Sequence, residues 1–425
     1  MTFEPIARNR SAEIMILGPS GENVLVLSFV TDKAVDRKSL VYALDKALAR
    51  HPLMGTAFVV KDGDMYYAKN DLPVLVTDSK NYPLVGTKET NQHLLYIRYH
   101  ENNIEFVFHH ALTDLVGADI FIKTLFYYYY CKCDNTDYPS DGICIDDGKD
   151  HPEGWEDPFG NIYDVNSAEG RNTYEGSSAP GFVMPENNRA EKRYTKYSIS
   201  LSADSFMKFV KNQHTSPSIA VSLLMMRGIR SLYHEDDKVI KARMPVDIRN
   251  RLGFYGTLRN CVVMQPIAYN PVMMDSLIFT EQAQILKTSF AKMIDNDNLK
   301  RTANGYIQFM KAIEDMETIE QKKELLSKGR RPDDTAFLVS YARLMQCNGL
   351  ENRITSFSLN EKEPYTKINV TALGDNFYFE MLQSFEEDSY IKAFGKQLEE
   401  FGFNVNIAKE YYELPIADVA GTLFT

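Results

Sequence analysis

A chain of 425 residues is long enough for two ordinary domains or for one large fold of two similar halves. Its 44% hydrophobic and 25% charged residues describe a globular protein with a sizeable core. The formal charge of -11 excludes a surface built to hold nucleic-acid phosphates, so no nucleic-acid partner is expected.

No stretch approaches the run of ~20 apolar residues that a membrane helix needs, so no integral membrane segment is expected. Residues 1–10 lack the charged-then-apolar order of a secretory signal. The cysteines (Cys131, Cys133, Cys144, Cys261, Cys347) are odd in number and without framework spacing, which suits free thiols in a reducing cytosol. A cytoplasmic protein is the expectation. Cys131-x-Cys133 has no second pair, and no metal is assigned to it.

Residues 13–17 and 23–30 read as strands around Gly18-Pro19-Ser20-Gly21. Residues 36–53 read as an amphipathic helix with Leu40, Ala43, Leu44, Ala47 and Leu48 on one face, stopped by Pro52. His51 is a helix-end residue favoured by the helix dipole, with no chemistry assigned. Residues 56–60 and 65–68 form a hairpin, and residues 94–99 and 104–108 a second. In the latter, Ile104, Phe106 and Phe108 alternate with Glu105 and Val107, the period of a strand with one buried face.

That strand runs into His109-His110-Ala111-Leu112-Thr113-Asp114, and helical spacing of Leu115, Ala118, Ile122, Leu125 and Phe126 follows. The histidines thus stand at the mouth of a strand-turn-helix unit. Histidine is the side chain best suited to taking and returning a proton near neutral pH. The bland alternative is a satisfied histidine pair at a strand end. A metal site of His109, His110 and Asp114 is a further alternative, opposed by geometry, because adjacent residues of an extended strand point to opposite faces. Tyr127 to Tyr130 read as core on one side of the helix and rim on the other.

From 131 to 188 the periodic signal fades, and the boundary between halves 1–185 and 186–425 is placed there. The second half opens with a strand at 193–201. A helix over 203–213 turns Phe206, Phe209 and Val210 inward, and a more buried helix covers 218–233. A strand at 239–246 ends in Asp247-Ile248-Arg249, followed by Thr257-Leu258-Arg259-Asn260. Residues 275–327 are mainly helical. Lys322-Lys323 and Lys328-Gly329-Arg330-Arg331 form the densest basic cluster, either a solvated helix end or a surface for phosphates or an acidic partner. Residues 367–383 read as a hairpin and 388–401 as the last helix.

The paired histidines with Asp114 resemble the His-His-x-x-x-Asp-Gly motif of the chloramphenicol acetyltransferase-like superfamily, which includes alcohol acetyltransferases and condensation domains. Pro245-Val246-Asp247-Ile248-Arg249 and Thr257-Leu258-Arg259-Asn260 resemble a second signature of the same group. The resemblance implies two similar α/β subdomains, mixed sheets with flanking helices, set in a V around a central channel. It implies an acyltransferase using a thioester, with His110 as general base, His109 structural, and Asp114 paired with Arg249. Thr257 and Asn260 would polarise the thioester or hold substrate. No cofactor is bound permanently; acyl-CoA or a phosphopantetheinyl thioester would be co-substrate, and partners would be a small-molecule acyl acceptor and, alternatively, an acyl or peptidyl carrier protein. A condensation-like protein fed by such a carrier, or a non-catalytic binding relative, is the competing reading. The chain departs from the pattern at Leu115, where glycine is usual. It departs again at Ser358-Leu359-Asn360-Glu361, which matches the family's Ser-Asn-x-Gly loop poorly.

Overall fold

The computed structural model describes residues 3–18, 23–160, 179–185, 194–328, 334–361 and 366–412. The first part of the chain forms β1 (Pro5–Arg8), α1 (Arg10–Leu17), β2 (Val24–Thr31), α2 (Arg37–Arg50), β3 (Ala57–Lys61), β4 (Asp64–Ala68), β5 (Val76–Thr77), β6 (Leu95–His100), β7 (Asn103–His109) and α3 (Leu115–Asp134). The second forms β8 (Tyr194–Ser202), α4 (Ala203–Asn212), α5 (Pro217–Leu232), β9 (Ile240–Asp247), α6 (Arg249–Leu252), β10 (Val262–Tyr269), α7 (Pro271–Met274), α8 (Phe279–Met293), α9 (Asn296–Glu314) and α10 (Ile319–Lys328). It closes with β11 (Thr335–Arg343), β12 (Ile354–Glu361), β13 (Thr366–Leu373), β14 (Asn376–Gln383), α11 (Ser389–Glu400) and β15 (Ala408–Tyr412).

The strands make three sheets, ordered β1-β4-β3, β12-β2-β7-β6-β5 and β10-β9-β11-β13-β14-β8-β15. β11 runs parallel to both its neighbours, so the largest sheet is mixed. The expected junction near residue 185 falls between two stretches, 161–178 and 186–193, outside the described residues.

α2 forms because Asp36 caps it, accepting from Ser39 N at 2.9 Å, and because Leu40, Ala43, Leu44 and Ala47 give one buried face, which packs on α3. α3 in turn covers the five-stranded sheet through Phe126, which meets Phe29 and Phe106 edge-on or tilted. Tyr127, Tyr129 and Tyr130 are buried and Tyr128 half-buried, so the tyrosine run is mostly core. His51 is buried at the end of α2, with Nε2 3.0 Å from Thr124 Oγ1. Burial, helped by Arg50, pushes its pKa down to about 3, so it is uncharged at neutral pH and the expected charge–dipole attraction is absent.

Two elements differ from the sequence reading. Residues 13–17, expected as a strand, lie in helix α1: Asn9 caps it by accepting from Ala12 N at 3.1 Å, and Ala12 and Ile16 are buried one turn apart. A short apolar run fits either structure, and the cap decides it. The turn at Gly18-Pro19-Ser20-Gly21 lies almost wholly outside the described residues. Ser358 to Glu361, expected as a loop, is the end of strand β12, with Ser358 opposite Ser28 and Glu361 opposite Leu25 on β2.

β12 comes from the chain's last quarter yet forms the edge of the first part's sheet. Its outer side lies against a polar face of the seven-stranded sheet. Glu380 accepts from Leu359 N at 2.9 Å, and Lys196 Nζ donates to Ser358 Oγ and, at 2.9 Å, to Asn360 Oδ1. Lys196 also pairs with Glu410 at 2.8 Å and Glu380 at 3.5 Å. At Leu359 an outward N–H of the edge strand is thereby satisfied.

Burial pushes the Glu380 carboxyl from 4.5 up to about 6, against the pull of Lys196. A carboxyl with a raised folded-state pKa keeps its proton longer in the fold than in the unfolded chain, so its contribution to stability falls as pH rises from 4.5 towards 6. Relative to Glu380→Gln, the wild type is expected to lose about 2 kcal/mol across that window. Urea unfolding of both proteins at a series of pH values checks this. A constant difference would contradict it.

Candidate active site

β7 is held on both sides, by β2 and β6, and delivers His109 as its last residue, opposite Val24. The turn beyond is fixed by backbone and side-chain bonds from three directions. His110 N donates to Asn23 O at 2.6 Å and Leu112 N to His109 O at 2.9 Å. Asn9 Nδ2 donates to Ala111 O at 3.0 Å, and Tyr67 Oη to Leu112 O at 3.1 Å. His109 is fully buried, and its Nδ1 accepts from Ala111 N at 3.1 Å. That bond ties the ring to the turn.

His110 is half-buried. Its Nδ1 is enclosed and has no hydrogen-bond partner, which leaves Nε2 as the nitrogen able to meet a reactant.

Asp114 is the N-cap of α3, accepting from Gly117 N at 2.8 Å through Oδ1. The same oxygen accepts from Arg249 Nη2 at 2.9 Å, and Oδ2 accepts from Cys261 N at 2.8 Å. Arg249 also donates to Asp247 Oδ1 at 2.8 Å, Thr257 O at 2.9 Å and Arg259 O at 2.7 Å. Both partners are only 2% exposed, so the pair is a buried, hydrogen-bonded clamp between α3 and the segment before β10. Both Asp114 oxygens are thus engaged in hydrogen bonds within the protein. Among the described residues no three His, Cys, Asp or Glu side chains come together as a metal site.

The segment from Arg249 to Cys261 fastens the rest of the junction. Thr113 Oγ1 donates to Leu258 O, and Leu258 N to Gly154 O at 3.1 Å. Arg259 reaches Arg8 O at 2.6 Å and Asp157 at 2.9 Å. Thr257, expected to face substrate, is fully buried. Its hydroxyl donates to Glu156 O at 2.6 Å and accepts from Arg259 N at 3.2 Å, so its one donor is already engaged. The Asn260 side chain is 6% exposed, and no hydrogen bond engages it among the described residues.

Leu115 occupies the first turn of α3, and the close approach falls to Gly117 instead. A Cβ there would overlap Thr113 Oγ1 and sit 2.5 Å from the Leu258 carbonyl oxygen. Gly117→Ala is therefore expected to cost about 2 kcal/mol by overpacking at this contact, read as an earlier urea midpoint. An unchanged midpoint would mean that α3 and the Leu258 turn can separate freely.

Lys322, part of the basic cluster, is buried and pairs with Glu13 at 3.2 Å, which removes it as a phosphate contact; residues 329–331 lie outside the described residues. All five cysteines are free, and burial pushes the Cys261 thiol well up, the opposite of an activated nucleophile. A groove of about 590 Å³ beside α4 and a hollow of about 340 Å³ beside Tyr130 lie away from the motif, and neither is lined by His110. No described helix is long and apolar enough to cross a membrane.

No protein-family model and no curated protein matches the chain in sequence. Solved structures do match along nearly its whole length. Polyketide synthase associated protein 5 from Mycobacterium tuberculosis aligns over 94% of this chain and 100% of its own, with a TM-score of 0.61 and 14% identity. F. sporotrichioides TRI101, solved with coenzyme A and T-2, aligns over 96% and 99%, with a TM-score of 0.58 and 12% identity. The epimerization domain from the third module of tyrocidine synthetase B aligns over 94% and 95%, with a TM-score of 0.61 and 11% identity. The chain has the chloramphenicol acetyltransferase-like fold, two mixed α/β subdomains.

Proposed function

We propose that the chain is an acyltransferase moving an acyl group from an acyl-CoA thioester to a hydroxyl or amine, with His110 as general base. One observation carries this reading. Of the motif's polar side chains, His110 alone is left without a hydrogen bond among the described residues, on a turn that everything around it holds rigid. A rigidly delivered, uncommitted imidazole is what proton abstraction requires.

In this reading the acceptor's proton passes to His110 Nε2 as its oxygen or nitrogen attacks the thioester carbon. The carbon–sulfur bond then breaks, and the imidazolium returns the proton to the departing thiolate. No enzyme nucleophile is needed. Asp114 and Arg249 touch no substrate in this scheme; they hold α3 to the second half. Asn260 would donate to the thioester oxygen as charge develops there. Holding both substrates together can contribute several kcal/mol more.

The structure of TRI101 complexed with coenzyme A and T-2 supports a CoA donor and a small-molecule acceptor. The likeness to a tyrocidine synthetase domain keeps a carrier-bound thioester as the second donor to test. The test is to incubate the protein with acetyl-CoA and longer acyl-CoAs and pooled alcohols and amines, following free thiol and acylated product by mass spectrometry. Thiol release that depends on acceptor, with matching product, is the expected result. Product only from a phosphopantetheine-loaded carrier would move the donor to that class. No product from either donor would sink the reading.

A further inference from the structure

β12 carries a carboxylate to the level of the histidine turn. On β2, Leu25 stands opposite Glu361 of β12 on one side and opposite Phe108 of β7 on the other. Residues in register share a face, so Glu361, Leu25 and Phe108 line one side of the sheet at one height. His110 follows Phe108 by two residues, and its backbone is tied to Asn23, two residues before Leu25. With neighbouring strands about 4.8 Å apart, Glu361 stands two strands, roughly 10 Å, from the strand that delivers His110.

Glu361 is buried and firmly held. Its carboxylate accepts from Lys367 Nζ at 2.7 Å and from Asn369 Nδ2 at 2.6 Å, both on β13, while Tyr412 Oη on β15 donates to its backbone carbonyl at 2.8 Å. Burial pushes the carboxyl up. Lys367, Asn369 and, after them, the charge of His110 more than offset this and hold it below the usual glutamate range. Lys367 and Asn369 belong to the seven-stranded sheet, whereas His110 follows β7 of the five-stranded one.

A protonated His110 needs such a group. Its Nδ1 is enclosed and has no hydrogen-bond partner, so a charge on the ring gains from a fixed carboxylate farther away. Partly buried charges are screened less than exposed ones, so a fixed carboxylate acts over that range, and because it is already in place no reorganisation is required.

We propose that Glu361 is a positioning residue of the transfer site, whose fixed carboxylate stabilises the imidazolium formed on His110 as the acceptor gives up its proton. The inference rests on the reading of His110 as base.

The test begins with the ligand-free full chain, so it does not wait on identifying a donor. The His110 ring is titrated by NMR in wild type, Glu361→Gln and Glu361→Asp, and kcat and KM are then measured against pH. Glu361→Gln is expected to move the His110 midpoint down by about one pH unit. It should lower kcat about tenfold, shift the acid limb to lower pH and leave KM within about twofold, with Glu361→Asp restoring much of both. A purely structural role would lower stability and leave the midpoint in place, and coincident titration curves would overturn the proposal. Should Glu361→Gln fail to fold, the carboxyl signal of Glu361 in the wild type decides. It must show an inflection at the His110 midpoint that vanishes in His110→Ala, and its absence overturns the proposal. A coupled titration in a protein that transfers no acyl group would instead remove the acyltransferase reading beneath it.

Discussion

His110→Ala is expected to reduce acyl transfer by about 10²–10⁴-fold, the usual contribution of a positioned general base. The loss should fall on kcat, because the imidazole acts on a proton in flight and supplies little ground-state affinity. Binding of the thioester should change little. The variant should also fold normally, since the side chain makes no hydrogen bond whose loss would strand a partner. Kinetics beside urea unfolding separate these effects. Equal activity in both proteins would end the assignment of His110. A fall in activity accompanied by a lower unfolding midpoint would mean that the residue is part of the scaffold.

Asp114→Ala is expected to do the reverse. Removing this carboxylate leaves Arg249 buried with only Asp247 as counter-charge and strands the N–H groups of Gly117 and Cys261. Breaking one partner out of a buried pair costs about 3–5 kcal/mol. The measurable result is a large drop in the unfolding midpoint and in soluble yield. Asp114→Asn should lie between, because it keeps an acceptor but loses the charge. Activity per folded molecule of the asparagine variant should stay far above that of His110→Ala. If Asp114→Ala instead unfolds like wild type while losing all turnover, then Asp114 acts on substrate.

The chemistry-bearing turn is legible in the sequence because its parts are local. Alternation in Asn103–His109, two adjacent histidines and a capping aspartate before an apolar helix all lie within a short span. Arg249 is reachable only through family resemblance, since nothing local pairs it with a residue so far away. Glu361, Glu380 and Lys196 are harder still. Glu361 falls in the apolar row of Phe357 and Leu359, and Lys196 alternates with Ser198, Ser200 and Ser202, a pattern that elsewhere means a face open to water. Here that face is covered by a strand of the other sheet. The available signal is the acid itself, because glutamate is depleted in strands and one in the middle of β14 needs an explanation. The surroundings of Thr257 are hard to read for a related reason. Its hydroxyl finds Glu156, which no sequence pattern links to it.

The placement of β12 has a consequence for how the chain is made. β2, Val24–Thr31, is an almost wholly apolar strand, and without β12 it would be the rim of its sheet. Translation supplies β2 and β7 long before residues 354–361 leave the ribosome. Throughout that interval the nascent first half carries an open, sticky backbone ladder, the kind of surface that recruits other chains. Sealing it also demands contacts between residues hundreds of positions apart, which slows folding. A fragment ending near residue 185 would keep the histidines and yet remain an aggregating, unfinished sheet. Supplied separately, the remainder of the chain would act as its missing strand donor.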